Sequence, residues 1–339
     1  MGKRILFVVM FAISLTAGYT LVNLDFQYLS ELGGHDIISA DPRTGIDIVC
    51  NEFEMGQIEK SGLPYSVKID DMEAFYRGRL SPETMGGYHT YNEVVGIMDS
   101  LGVVSSHIIS ESFSIGEGWN DNQIMCFKIS DNPEIDEHEP EVLLDAAIHC
   151  REVITQEILI AFSEGLSSEY GENPIATYIV DNRELWIIPI VNPDGYIYNE
   201  EISPLGGGMW RKNRRDNGDG TMGVDLNRNF GFMWGYDDYG SSSITSEETY
   251  RGVSGFSEPE TQAYRDFVNT REFKTNISYH SHANLYLCPW GWTTEPTADH
   301  DIYMEMGAQM SRYNGFPYGP GSTTIYLVNG GTFDWMYGD

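Results

Sequence analysis

Within the stretch His149-Cys150-Arg151-Glu152 an imidazole and a carboxylate stand three positions apart, directly after the apolar run Val142-Leu143-Leu144-Asp145-Ala146-Ala147-Ile148. A strand ending there sets both groups at its carboxyl edge, where open α/β sheets bind ligands. Both donors suit zinc. A third donor is available in Tyr279-His280-Ser281-His282. On a strand His280 and His282 share one face, so either can complete the set. Two histidines and one glutamate leave a coordination position for water, the pattern of a catalytic rather than a structural zinc site. A metal held so lowers the pKa of bound water from about 16 to about 7 and polarises a carbonyl. Taken singly, each residue has a plainer reading: a loop histidine, a solvated glutamate at a helix start, a core histidine satisfied by a hydrogen bond.

The elements that must position these groups alternate. Thr90-Tyr91-Asn92-Glu93 is a capping box, and Val94, Val95, Met98 and Leu101 follow at helical spacing. Residues 123–129 alternate as a strand. The run before His149 feeds a helix over 155–166, where Ile158, Phe162 and Leu166 recur every four residues. Residues 184–191 read as a strand ending in a turn at Asn192-Pro193-Asp194-Gly195. Ser257-Glu258-Pro259-Glu260 reads as a second capping box, opening a helix towards Phe267. Residues 276–287 are strand-like and 303–313 helical. Strands alternating with helices predict an α/β fold, a mixed, mostly parallel central sheet flanked by helices. Ahead of Ser81-Pro82 and Gly86-Gly87 lies a separate small α+β unit, with a strand at Ile46-Asp47-Ile48-Val49 and an acidic helical patch over 70–77. Asp216-Asn217-Gly218-Asp219-Gly220 has the wrong acidic spacing for an EF-hand and reads as a solvated turn.

Composition bounds the partners. The 339 residues are 41% hydrophobic, ample for a large core, and 20 basic against 51 acidic residues give a net charge of -31. Such a surface argues against nucleic acid as a partner. A highly soluble surface is the expected meaning of the charge, ahead of a specific cation-binding role. Lys3 and Arg4, the apolar run from Ile5 to Leu15 and Thr16-Ala17-Gly18 predict a secretory signal peptide over 1–18, with an uncleaved anchor as the alternative. No other long apolar segment follows, so a secreted chain with no stable membrane span after signal removal is expected. Four cysteines, Cys50, Cys126, Cys150 and Cys288, allow three full pairings and leave the disulfides open. Cys150 could be a fourth ligand or a nucleophile, but a small buried apolar residue is the expected role.

Several blocks occur in a fixed order: His149-x-x-Glu152, Asn192-Pro193-Asp194-Gly195-Tyr196, Trp210-Arg211-Lys212-Asn213-Arg214, Gly223-Val224-Asp225-Leu226-Asn227-Arg228-Asn229-Phe230, His280-Ser281, and Ile325-Tyr326-x-x-x-Gly330-Gly331-Thr332-x-Asp334-Trp335. Together they resemble zinc metallocarboxypeptidases of the carboxypeptidase A/T type, over roughly Gly86 to Asp339. The resemblance implies a zinc-carboxypeptidase-like catalytic domain over 85–339, a pro-segment or small domain over 19–84, and one Zn2+ per chain. It implies His149, Glu152 and His280 as metal ligands, so His280 is preferred to His282, with Asp225 orienting the first ligand histidine. It gives Asn227 and Arg228 the substrate's terminal carboxylate, a task suited to a planar guanidinium. It gives Arg211 the developing oxyanion, Tyr326 closure over bound substrate, and Arg151 the neighbouring subsite. Phe333, with Leu287 and Gly291, implies an apolar or aromatic terminal side chain. Without these blocks Arg211 reads as part of a solvated basic face, Arg228 as a structural ion-pair partner and Tyr326 as a strand aromatic.

The sequence departs from the family pattern in one respect. The family's general-base glutamate lies beyond the Tyr326 and Asp334-Trp335 block, and no glutamate follows Glu305. The family's last strand and helix also have no counterpart. A fragment of a longer gene product is the expected explanation, with a natural chain lacking the base as the alternative. Loss of a general base costs about 10²–10⁴-fold in rate, so these residues alone should be poorly active. The expected partner is a peptide or protein with a free C-terminal carboxylate, with the oligomeric state open. Two other functions compete: a zinc amidohydrolase acting on cell-wall peptides, and a non-enzymatic module that grips carboxyl termini.

Overall fold

The computed structural model describes residues 18–281 and 283–339. Residues 1–17 of the signal peptide expected over 1–18, and the alternative ligand His282, lie outside the described residues.

The N-terminal unit contains strands β1 (Thr20–Leu24), β2 (Asp36–Asp41) and β3 (Gly45–Cys50), helix α1 (Glu52–Ser61), strand β4 (Tyr65–Ile69) and helix α2 (Met72–Arg77). Its four strands pair in the order β2-β3-β1-β4, all antiparallel. Val22, Leu24, Ile46, Ile48 and Ile58 form its core. Asn51 caps α1 through a complete capping box with Glu54.

The second unit runs α3 (Tyr91–Val104), β5 (Phe113–Glu117), β6 (Gln123–Ile129), β7 (Glu141–Ala146), α4 (Ile154–Glu169), α5 (Pro174–Val180), β8 (Glu184–Ile188), α6 (Pro193–Ile202), α7 (Pro259–Val268) and β9 (Phe273–Tyr279). It continues through β10 (Tyr286–Cys288), α8 (His300–Ser311), β11 (Tyr318–Pro320), α9 (Gly321–Thr324) and α10 (Thr332–Gly338). The central sheet has the order β5-β6-β8-β7-β9. Its β8-β7-β9 half is parallel and its β5-β6-β8 half antiparallel, so the sheet is mixed. Strand alternation explains why both faces are covered. Phe127, Ile129, Leu144, Ala146, Leu185 and Ile187 pack under Val94, Leu159, Val180 and Tyr196 of α3 to α6. Ile124, Cys126, Leu143, Trp186 and Ile188 face the other way, against Tyr264 of α7 and Trp335 of α10.

Three local expectations need correction. Asn192-Pro193-Asp194-Gly195 does not end in a turn; it opens α6, because Asn192 accepts from Gly195 N at 3.0 Å and proline occupies the first helical position. Ser257 does not cap α7: Glu258 is the N-cap residue, makes no side-chain cap bond, and accepts from the Ser257 hydroxyl instead. The β9 strand stops at Tyr279, so His280 stands just past its end rather than within it. The Thr90 box forms as expected, with Glu93 N donating to the Thr90 hydroxyl at 3.3 Å and Thr90 N to Glu93 Oε2 at 2.8 Å. The turn around Asp216 is exposed and closed by its own acids, as expected.

Candidate metal centre

The parallel half of the sheet delivers the donors. β7 ends at Ala146, and Ala147 turns the chain with φ at +49°, a left-handed conformation that a non-glycine residue rarely adopts. The turn is held from the segment that joins β8 to α6: Val191 N donates to Ala146 O at 3.0 Å, and Asn192 Nδ2 to Ile148 O at 3.2 Å. Gly195 allows α6 to close against this turn, since a Cβ there would lie 2.5 Å from both Cys150 Sγ and Lys212 O. β9, paired in parallel with β7, ends one residue before His280. Asp145 ties the two strands, accepting from Ser278 Oγ at 2.6 Å and Asn276 Nδ2 at 2.8 Å.

His149, Glu152 and His280 converge. Their donor atoms lie within 4.8 Å of one another. His149 Nδ1 is 2.9 Å from Glu152 Oε1, His280 Nδ1 is 3.0 Å from Glu152 Oε2, and the two Nδ1 atoms are 3.2 Å apart. Tetrahedral zinc with bonds of about 2.0–2.1 Å sets its donors about 3.3 Å apart, so this set fits zinc in both type and spacing. His149 and Glu152 are buried, while His280 is a third exposed in its side chain, which leaves an approach from one side. Burial alone raises the Glu152 pKa, but His149 and His280 outweigh it and hold the group well below the usual range, ready as a carboxylate donor.

Asp225 lies behind this set and is fully buried. Its Oδ1 is 3.3 Å from His149 Nε2, an electrostatic contact rather than an aligned hydrogen bond, and accepts from Asn227 N at 2.9 Å. Its Oδ2 accepts from Arg211 Nε at 3.1 Å and Nη2 at 2.8 Å, with Arg228 Nη1 at 3.8 Å. Against burial, Arg211, Arg228 and His149 keep Asp225 ionised. The short 3-10 turn Leu226–Arg228 thus presents Asn227 and Arg228 beside the ligand set. Asn227 Oδ1 accepts from Thr332 N and Oγ1, and its Nδ2 is 3.5 Å from His280 Nε2. Arg228 is buried with its Nε unpartnered among the described residues, so it retains donor capacity. Neither Arg211 nor Arg228 is a solvated surface group.

Tyr326 packs against the N-terminal unit's core and lines one small cavity together with Arg228. Leu287 is exposed on β10, whereas Phe333 lies against Gly291 and Gly321, where an added Cβ would meet its ring at 2.6 and 3.0 Å. Cys150 is buried and turned away, its thiol donating to Trp210 O at 2.9 Å, so it is neither ligand nor nucleophile; burial pushes its pKa far up. All four cysteines are free.

Asp36 is the residue that sequence reasoning missed. It opens β2 of the N-terminal unit, is 2% exposed, and meets Arg151 Nη2 directly and Arg211 Nη1 at 3.5 Å. Despite burial, Arg151 and Arg211 hold it ionised. Around it, Gly34 N donates to Tyr239 O at 2.8 Å, Gln57 Nε2 to Glu247 Oε1 at 2.9 Å and Glu248 N to Glu54 Oε1 at 3.1 Å. A lone aspartate at a strand start carries no local signal for such a contact.

With this geometry in place, comparison with known proteins is specific. The family model described as zinc carboxypeptidase matches residues 103–339. Carboxypeptidase A1 of Sus scrofa is 33% identical over 301 residues, covering 83% of this chain and 70% of that protein. A zinc carboxypeptidase of Saccharothrix mutabilis subsp. capreolus is 34% identical over 269 residues, covering 76% of this chain and 60% of its own length. The crystal structure of carboxypeptidase A from Helicoverpa armigera superposes with a TM-score of 0.79 at 23% identity, over 95% of this chain and 86% of that one, and shows the same fold. The chain belongs to the zinc carboxypeptidase family, and its cofactor is Zn2+.

Proposed function

We propose that the protein removes C-terminal residues from peptides, with His149, Glu152 and His280 as its zinc ligands and the N-terminal unit as an inhibitory pro-segment. The supporting observation is the convergence of those donors beside a buried Asn227-Arg228 pair. Zinc, when bound, supplies a Lewis acid and a water of lowered pKa. The chain's own residues do the rest. Arg228, with Asn227, takes the terminal carboxylate through charge-assisted hydrogen bonds. Arg211 steadies the oxygen that gains negative charge. Asp225 fixes the orientation of His149 and holds Arg211 in place. Phe333 and Val328 give the terminal side chain an apolar wall, and the nearby acid Asp334 is turned to Gly291 N and Trp292 N at 2.9 and 3.0 Å. An apolar or aromatic terminal residue follows.

Domain limits of 19–84 and 85–339 belong to the same reading, with Asp36 as the plug of the site: it occupies Arg151 and Arg211, two of the three guanidiniums that substrate needs. Secretion through residues 1–18 is part of it too, tested by N-terminal sequencing of exported protein. Among the described residues no helix is long and apolar enough to cross a membrane. The direct test is hydrolysis of an N-blocked dipeptide by the gene's full product. Loss of activity with a chelator and recovery with zinc are expected. Equal cleavage of a peptide with an amidated C-terminus would overturn the exopeptidase reading, and a preference for muropeptides over linear peptides would favour the amidohydrolase.

A further inference from the structure

The seam between the two units buries a pair of carboxyl groups. Glu54 lies in the first turn of α1, in the N-terminal unit, and Glu248 in the long segment between Arg228 and α7. Glu54 is 0% exposed and Glu248 2%. The two are bonded across the seam. Glu248 N donates to Glu54 Oε1 at 3.1 Å, and Asn51 N donates to Glu54 Oε2 at 3.0 Å. In return Asn51 Nδ2 donates to Glu248 Oε1 at 3.1 Å, and the Tyr19 hydroxyl donates to the same oxygen at 3.3 Å. Glu248 Oε2 is buried and has no hydrogen-bond partner among the described residues.

The cations nearby are engaged elsewhere. Lys212 Nζ donates to Thr245 O and Glu247 O at 3.0 Å each, and Arg151 is held by Asp36. The other titratable groups that face the pair are Tyr19, Asp36, Cys50, Cys150 and Glu247. None of them brings a positive charge. Two carboxyl groups in a dry site resist ionising together, because each charge disfavours the other and both lose water. Burial first, then Glu248, pushes the Glu54 pKa well above its ordinary 4.5, against the pull of the two amides that it accepts. Such groups titrate as a pair, and the retained proton belongs to both.

We propose that Glu54 and Glu248 form a proton-dependent latch: the docked pair keeps one proton, parting of the units releases it to solvent, and the N-terminal unit therefore loosens as pH rises. Once apart, both carboxyls meet water and ionise at ordinary values. The latch is thus complete below 4.5 and is lost as pH climbs from there towards the raised value. One retained proton makes docking weaken by up to about tenfold per pH unit across that window. Neighbouring groups do not imitate this behaviour. Asp36 is held below 3.8 and has finished titrating. Burial pushes the Tyr19 phenol and the Cys50 and Cys150 thiols upwards, so they stay neutral. Burial lowers Lys212 from 10.5, which acts in the opposite sense, favouring docking as pH rises. The consequence for activity rests on the pro-segment reading; the proton linkage does not.

The test is hydrogen exchange, followed by mass spectrometry, on the uncut, zinc-loaded chain. The Glu248 amide is bonded across the seam, so its protection factor, taken relative to amides of β8, reports parting of the units. That ratio should fall at least about tenfold between about pH 5 and about pH 8. In Glu248→Gln it should stay level and exceed the wild-type value at the upper pH, because the amide keeps the Oε1 acceptor and places its NH2 where Oε2 has no donor. Should that variant not fold, Glu54→Gln decides by the slope alone, which should likewise vanish. A level ratio in the wild type overturns the proposal, as does a fall that persists in both variants. Affinity for an N-blocked dipeptide, measured alongside, should rise over the same pH range. Exchange that follows the latch while dipeptide affinity stays constant supports the latch and sinks the pro-segment reading.

Discussion

Replacing Asp36 by alanine deletes the one acid of the N-terminal unit that meets both Arg151 and Arg211. Arg211 keeps Asp225 at 2.8 Å, whereas Arg151 has no other acidic partner among the described residues. Removing one member of a buried ion pair costs about 3–5 kcal/mol. At about 1.4 kcal/mol per factor of ten, docking of the N-terminal unit weakens about a hundred- to a few-thousandfold. A ligand that needs the undocked state gains apparent affinity by the same factor until that state predominates. The assay is calorimetric binding of an N-blocked dipeptide with a free carboxylate to the uncut, zinc-loaded chain, beside the rate of limited proteolysis between residues 78 and 90. Asp36→Ala should bind the dipeptide at least about tenfold more tightly and be nicked faster. Asp36→Asn, which keeps the shape, should do the same to a lesser degree. The pH dependence has a definite sign. Asp36 is held below its ordinary value of 3.8, so its contribution to docking is complete above that value and lost as pH falls through the lower, docked one. On the proposed pro-segment reading, the plug is shut at neutral pH. Unchanged dipeptide affinity together with unchanged proteolysis in both variants would refute the reasoning.

Asp225→Asn should lower zinc affinity about 10–100-fold, measured by competition with a chromophoric chelator. Arg228→Ala should weaken the free-carboxylate dipeptide about 10–100-fold while leaving an amidated analogue unaffected, because a charge-assisted hydrogen bond is worth about 1.5–3 kcal/mol. Arg228→Lys should recover only part of that, since a point charge cannot form the planar two-bond grip. Glu260 is buried beside Glu258, and burial above all pushes its pKa from 4.5 to about 8. The folded protein then holds a proton that the unfolded chain has released, so stability falls as pH rises from 4.5 towards about 8. Tm measured against pH should show a shallower decline in Glu260→Gln than in the wild type.

The sheet and most helices were legible because their signals are local. Residues 123–129 form β6 with the bounds read from the sequence, and the Thr90 box makes both of its bonds. The errors fell where one residue set supports two outcomes: Asn192-Pro193-Asp194-Gly195 suits a turn and a helix start equally, and packing against Cys150 selects the helix. His149 and Glu152 were readable from a strand followed by a donor pair. Convergence with His280 was readable only through the ordered blocks, since 128 residues separate it from Glu152 and parallel β7–β9 pairing brings them together. Asp36 and the Glu54–Glu248 pair had no such signal. Each depends on how the two units dock, and neither residue type nor spacing encodes that.

The most direct measurement is zinc content with zinc-edge X-ray absorption on the purified chain and on His149→Ala and His280→Ala. One zinc per chain, bound by two imidazole nitrogens and carboxylate oxygen and lost in both variants, is the expected result. A wild-type protein that takes up no zinc, or holds it equally well without either histidine, would contradict the site.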